Sequence, residues 1–210
     1  IVLLYSVKYL KSKDFVKFMA VVLIASLFHV TALIFILGYI YENHLYNGKW
    51  SQVGILFSLA VVAGLIVKSP SLYLWAIPGR YAPYFTNPAY TSGKWLMNPV
   101  LWMQLLIFFG TLLFTKIQQD EKYRTYHNLY LFASLILIAF GNLETVGGRL
   151  SSPFATYEMF VAPYFILNFT KNKLLNLIFA IGFTVVIFLL IFILSGDYQY
   201  FIPYRTLLNG

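Results

Sequence analysis

By polarity alone, the chain alternates long apolar runs with short polar ones. Apolar segments cover 1–7, 15–41, 51–67, 97–115, 126–141, 154–169 and 174–194. Polar intervals at 8–14, 42–50, 116–125, 142–153 and 170–173 separate them, joined by a long aromatic stretch at 68–96 and a polar, aromatic tail at 195–210. The runs are continuously apolar rather than alternating with period two, which excludes an outer-membrane barrel and predicts helices. Most are close to the roughly 20 residues that a helix needs to cross a hydrocarbon core, and in lipid an open chain satisfies its own backbone only as a helix. The predicted fold is all-α: a polytopic transmembrane helical bundle of about six membrane segments, forming a single integral-membrane domain over 1–210. No internal repeat and no signal-peptide pattern is evident. The opening Ile1-Val-Leu-Leu-Tyr-Ser-Val7 begins without Met and reads as the end of a helix already under way, so a fragment lacking N-terminal helices is expected.

The segment 15–41 is unusual. Its 27 residues span about 40 Å as a helix, enough for one tilted crossing and too short for two. Lys and Arg counts favour a segment that dips in and returns. That arrangement puts ten basic residues on one side and five (Lys68, Arg80, Lys94, Arg149, Arg205) on the other, whereas a single crossing gives nine against six. The re-entrant or broken form places a turn near Phe28-His29-Val30. The 68–96 loop, Arg149, the tail and His29 then all face the non-cytoplasmic side.

Composition agrees with this picture. Hydrophobic residues make up 60% and charged residues 10% of the chain, against about 25% charged in soluble domains, so no soluble domain remains to be found. Cysteine is absent, which removes disulfides, thiol nucleophiles and thiolate metal sites. The net charge of +8 lies in short inter-segment loops, where topology signals belong. The expected partner is therefore the lipid bilayer, and nucleic acid is set aside.

The interval Asn142-Leu-Glu-Thr-Val-Gly-Gly-Arg-Leu-Ser-Ser-Pro153 is read as a loop between two helices. Gly147 and Gly148 permit close backbone approach, and Ser151 and Ser152 ahead of Pro153 suit the start of the next helix. Arg149 is equally compatible with a bidentate grip on phosphate and with snorkelling to lipid headgroups. In the long loop, Arg80 is a second anion-binding candidate or a cation–π partner of Tyr81 or Tyr84, and the loop's aromatic density argues against disorder. Glu158 within an apolar segment is expected either to pair with Arg149 or His29 or to sit hydrated at the interface. His29 is either a hydrogen-bonding structural residue or a group able to accept a proton near neutrality. His29, His44 and His127 lack metal-ligand spacing, and no P-loop or G-x-S-x-G elbow is present.

The order of four elements resembles the EpsG family, related to Wzy-type O-antigen polymerases. These are the basic stretch 8–17, Ala25-Ser-Leu-Phe-His-Val-Thr-Ala-Leu-Ile34, Val146-Gly-Gly-Arg-Leu-Ser151 and the closing Ile202-Pro-Tyr-Arg205. Val30 and Thr31 stand where the family more often has Pro and Ser, and the family's Arg-Gln element upstream is not in this sequence. The resemblance implies a GT-C-like glycosyltransferase of the bacterial inner membrane, multi-pass. It would join oligosaccharide repeat units carried on undecaprenyl diphosphate into exopolysaccharide, capsule or O-antigen at the outer face, without metal, nucleotide sugar or other cofactor. A flippase and a chain-length regulator would be accompanying assembly proteins. Under the resemblance Arg149 is the group that offsets charge on the departing diphosphate, with Arg80 and Arg205 next, and His29 or Glu144 is the base. Tyr81, Tyr84 and Tyr204 are saccharide contacts. Two other classes use the same features: a transporter or flippase of lipid-linked saccharide, and a non-catalytic membrane subunit of a polysaccharide synthase.

Overall fold

Short polar side chains start the helices at the edges of the apolar runs. Asp14 accepts from the Lys17 amide, Asn98 from that of Val100, Asp120 from those of Lys122 and Tyr123, and Asn172 from those of Leu174 and Leu175, each satisfying amides that a helix N-terminus leaves unpaired. The structure, a computed structural model, describes residues 2–91 and 95–193, and these are helical with no strand among them. In chain order the helices are α1 (Val2–Lys11), α2 (Phe15–Phe28), α3 (Ile36–Ile40), α4 (Trp50–Val67), α5 (Pro83–Thr86), α6 (Pro88–Thr91), α7 (Pro99–Phe114), α8 (Glu121–Phe140), α9 (Glu144–Ala155), α10 (Glu158–Asn168) and α11 (Lys173–Phe188). Short turns of 3₁₀ helix divide the 70–81 region, and π-turns close the stretch after α3 and after α11.

Helix α8 is the axis of the bundle. Every residue from 127 to 139 is buried, and α4, α7, α9 and α10 pack around it. The apolar surface of the outer helices faces outwards: Ile55, Leu59, Val62 and Leu65 of α4 and Ile178, Ile181 and Val185 of α11 are exposed. Among the described residues, α4 is the helix long and apolar enough to cross a membrane, whereas α2, α7, α11 and the stretch Val30–Leu45 are apolar but shorter.

The 15–41 segment does turn back on itself. Helix α2 ends at Phe28, His29 is extended (φ −154°, ψ 114°), and a 3₁₀ turn (Val30–Phe35) leads into α3. Phe18 stacks against Phe35 with ring centroids 5.9 Å apart and lies 4.8 Å from the Tyr39 ring, both partners lying on the returning limb. The Tyr39 hydroxyl donates to the Lys13 carbonyl at 2.8 Å, so the two ends of the hairpin lie at one level. The outgoing limb of 14 residues is about 21 Å long, short of the roughly 30 Å of a hydrocarbon core. Its tip is apolar and bare, with Leu27 84%, Phe28 82% and Val30 68% exposed.

The 142–153 interval is not a loop. It forms α9, which includes Gly147, Gly148 and Pro153 and continues to Ala155. Burial outweighs the poor propensity of its glycines: Leu143, Ser151 and Phe154 are buried, and a Cβ on Gly147 would stand 2.8 Å from the Phe140 carbonyl oxygen. Ser151 and Ser152 therefore do not cap the following helix. Ser151 donates back to the Gly148 carbonyl at 3.1 Å, and the Ser152 carbonyl accepts from the Thr156 amide at 3.2 Å. Pro153 has no N–H to offer the carbonyl of Arg149, four residues back.

Candidate functional site

The turn of the hairpin and the middle of α9 meet at one end of the bundle. Their side chains line a cavity of about 520 Å³ together with the start of α1, and both His29 and Arg149 belong to its wall. Arg149 also lines a second cavity, of about 320 Å³, formed with the aromatic loop through Ile77, Pro78, Tyr81, Tyr84 and Phe85. Thr31 is the other residue common to both walls. The first cavity is bordered by hydroxyls of Thr31, Ser152 and Thr156, and the second is mostly apolar. A guanidinium reaching both can hold a charged group between a cavity edged with hydroxyls and an almost wholly apolar one.

His29 owes its position to the break in the helix. Its amide still donates to the Ala25 carbonyl (3.2 Å) and its carbonyl accepts from the Ala32 amide (2.9 Å), so one extended residue serves as the end of α2 and the start of the 3₁₀ turn. The ring is exposed. Its Nδ1 lies 2.7 Å from Thr31 Oγ1, and Nε2 has no partner among the described residues. When Nδ1 carries its hydrogen and donates to Thr31, Nε2 presents a lone pair. The sequence marks Thr31 only as a polar neighbour of His29 standing where the family more often has Ser; its bond to the imidazole follows from the extended backbone of His29.

The remaining candidates distribute as follows. Arg80 lies outside both cavities: its guanidinium stacks over the Tyr81 ring, 4.7 Å from the centroid. Tyr84 packs against Tyr90 with centroids 5.0 Å apart. Glu144 opens α9, one helical turn before Gly148 and Arg149. Tyr204 and Arg205 lie outside the described residues. Glu158 pairs with neither Arg149 nor His29; it accepts from the Tyr130 hydroxyl at 2.9 Å, because α10 sets it against α8. His127 is structural. It is buried, stacks on Phe108 with centroids 4.3 Å apart, and its Nε2 lies 3.0 Å from the Phe108 carbonyl. Tyr157, on the wall of the larger cavity, is fully buried and its hydroxyl has no hydrogen-bond partner among the described residues. Among those residues no three His, Asp or Glu side chains gather as a metal site would require.

The structure is an all-helical bundle with an apolar exterior and an arginine shared by two cavities at one end. The chain belongs to the EpsG family, which matches residues 1–206. That membership makes it a membrane protein related to polysaccharide biosynthesis. Comparison with the curated proteins and with the solved structures returned no match.

Proposed function

We propose that this protein is a multi-pass enzyme of the bacterial inner membrane that polymerises oligosaccharide repeat units carried on undecaprenyl diphosphate, with the 520 Å³ cavity facing the outer side. The observation that carries the reading is that Arg149 lines both cavities, so one cation serves the place where a polar sugar portion and an apolar lipid portion of the same substrate meet. The acceptor's sugar hydroxyl attacks the anomeric carbon of the donor chain. A carbon–oxygen bond forms there as the bond from that carbon to the diphosphate breaks, and the hydroxyl proton passes to Nε2 of His29. Negative charge grows on the leaving diphosphate, and Arg149 stabilises it in the transition state more than in the bound substrate. Tyr81 and Tyr84 give the neighbouring cavity ring faces for the substrate's less polar portion. The hairpin that holds His29 reaches only part-way across a bilayer, the form in which a non-helical residue is tolerated at depth because it lines a wet cavity.

The test is polymerisation of a purified lipid-linked repeat unit by the protein in proteoliposomes, wild type against Arg149→Ala. Longer chains with wild type, and chain growth slowed about 10²–10³-fold with the variant, are expected. A protein that moves the lipid-linked unit across the bilayer without lengthening it is a transporter, and chain growth by Arg149→Ala at the wild-type rate removes Arg149 from its assigned role.

A further inference from the structure

The opposite end of the bundle holds another polar cavity, of about 540 Å³, between the end of α1, the π-turn after α3 and the start of α8. Helix α1 joins the two ends, running from Val2, Leu3 and Leu4 in the Arg149 cavity to Leu10 and Lys11 in this one. Four cations line it: Lys11, Lys13, Lys122 and Arg124. The two carboxylates of the lining, Glu42 and Glu121, make no ion pair with them, for the ion pair between Lys17 and Asp14 is the one found among the described residues. Glu42 is otherwise engaged, its oxygens accepting from Thr125 Oγ1 (3.1 Å) and Asn128 Nδ2 (2.8 Å). Asp120, close by, is occupied in capping α8.

Two of the four cations, Lys11 and Arg124, are held by neighbouring groups. Lys11 Nζ donates to the Lys122 carbonyl at 3.0 Å and sits 4.9 Å from the centroid of Tyr126. Burial, the largest influence on it, pushes the Lys11 ammonium below the ordinary lysine value. Arg124 lies over Tyr46, its guanidinium carbon 5.8 Å from the ring centroid, and its Nε is buried without a hydrogen-bond partner. A buried guanidinium nitrogen left unpaired is costly, and the four cations outnumber the two carboxylates of the lining. An anion with several acceptor oxygens entering the cavity offsets this surplus of positive charge. A volume of 540 Å³ lies in the range of small-molecule sites, larger than a bare phosphate needs.

We propose that this cavity is a second anion site that binds a phosphate-bearing group of headgroup size, gripped by Arg124 and neutralised by Lys11, Lys13 and Lys122. The site is independent of the polymerase reading and requires neither His29 nor Arg149.

Binding is measured on the purified full chain in neutral detergent, by thermal-shift titration and native mass spectrometry, with three probes. These are short-chain phosphatidylglycerol, short-chain phosphatidylcholine, and glycerol 1-phosphate. Saturable stabilisation by phosphatidylglycerol, at least tenfold weaker for phosphatidylcholine and weakened by salt, is expected. It should fall at least tenfold in Arg124→Gln and in the more exposed Lys122→Gln, and persist in Arg149→Ala. Binding of glycerol 1-phosphate as well assigns the site to phosphate chemistry generally, and binding of the lipid alone assigns it to a bilayer headgroup. The proposal is overturned when no probe binds saturably, when the two lipids bind equally, or when Lys122→Gln, folded by circular dichroism and gel filtration, binds as wild type does.

Discussion

Thr31 Oγ1 stands 2.7 Å from His29 Nδ1, across the single extended residue that separates α2 from the returning limb of its hairpin. This contact occupies one nitrogen of the imidazole and leaves the other without a partner among the described residues; in the tautomer whose Nδ1–H donates to the threonine, Nε2 is the free base. If His29 accepts the acceptor sugar's proton, Thr31→Val lowers the initial polymerisation rate about five- to tenfold, the value of roughly 1 kcal/mol for one hydrogen bond. Thr31→Ser keeps the hydroxyl and stays near wild type, and His29→Ala costs about 10²–10⁴. Rates with lipid-linked repeat unit check this; equal rates for Thr31→Val and wild type would remove the threonine from the mechanism.

Arg149 and Tyr84 line the same smaller cavity but are expected to differ in kinetic signature. A cation that meets charge developing on the diphosphate acts mainly in the transition state, so Arg149→Ala lowers kcat by about 10²–10³. An aromatic face that touches a non-reacting part of the substrate contributes to ground state and transition state alike, so Tyr84→Ala raises KM with kcat little changed. Steady-state kinetics on both variants separates the roles. A kcat loss in Tyr84→Ala as large as that in Arg149→Ala would contradict the division.

The break at His29 was legible because polarity and charge both reported it: a polar pair inside an apolar run, and a Lys and Arg distribution that asked the run to return to its own side. Helix α9 was not legible. Two adjacent glycines and a proline each disfavour a helix, by about 1 kcal/mol for glycine and about 3 for proline relative to alanine, and what overrides them is tertiary. Leu143 and Phe154 are buried, and Gly147 lets α9 settle onto the Phe140 carbonyl, neither of which a single sequence displays. The partner of Glu158 was hidden for the same reason, since Tyr130 lies 28 positions away on the central helix. Of a cavity wall built from three distant segments, 2–4, 25–32 and 148–157, the sequence motifs supplied His29 and Arg149 as candidates, and the contact of Thr31 with the imidazole entered only with the fold.

Gly64 is where α4 comes closest to the central helix. A methyl group there would stand 2.6 Å from the Ile138 carbonyl oxygen and 3.0 Å from Trp95 Nε1, which itself donates to that carbonyl at 2.7 Å. Backbone cannot yield as a flexible side chain does, so Gly64→Val is expected to destabilise by about 1–3 kcal/mol through overpacking. Gly54, on the same helix, has nothing within 4 Å of a Cβ, so Gly54→Ala should be neutral or stabilising by up to about 1 kcal/mol. Thermal unfolding of both variants in detergent is the measurement. Equal Tm values would show that α4 does not pack on α8 as described.

Asp14 gives the hairpin an acid-sensitive root. Its carboxylate is 2.8 Å from Lys17 Nζ and accepts from the Lys17 amide at 3.1 Å, and these two hydrogen bonds, the side-chain one first, hold its pKa below the ordinary carboxyl value of 3.8. A group whose folded pKa is depressed stabilises the fold above the unfolded value and loses that contribution as pH falls through the folded one. Protection of the Lys17 amide from hydrogen exchange should therefore be constant from neutrality down to about 3.8 and decline only below it. Lys17 is exposed and Asp14 partly so, and high salt should therefore weaken the ion-pair part. Asp14→Asn keeps an oxygen able to cap the helix but cannot titrate, so its protection should be lower at neutral pH and flat on acidification. A decline in Asp14→Asn that parallels wild type would assign the acid response to another carboxylate.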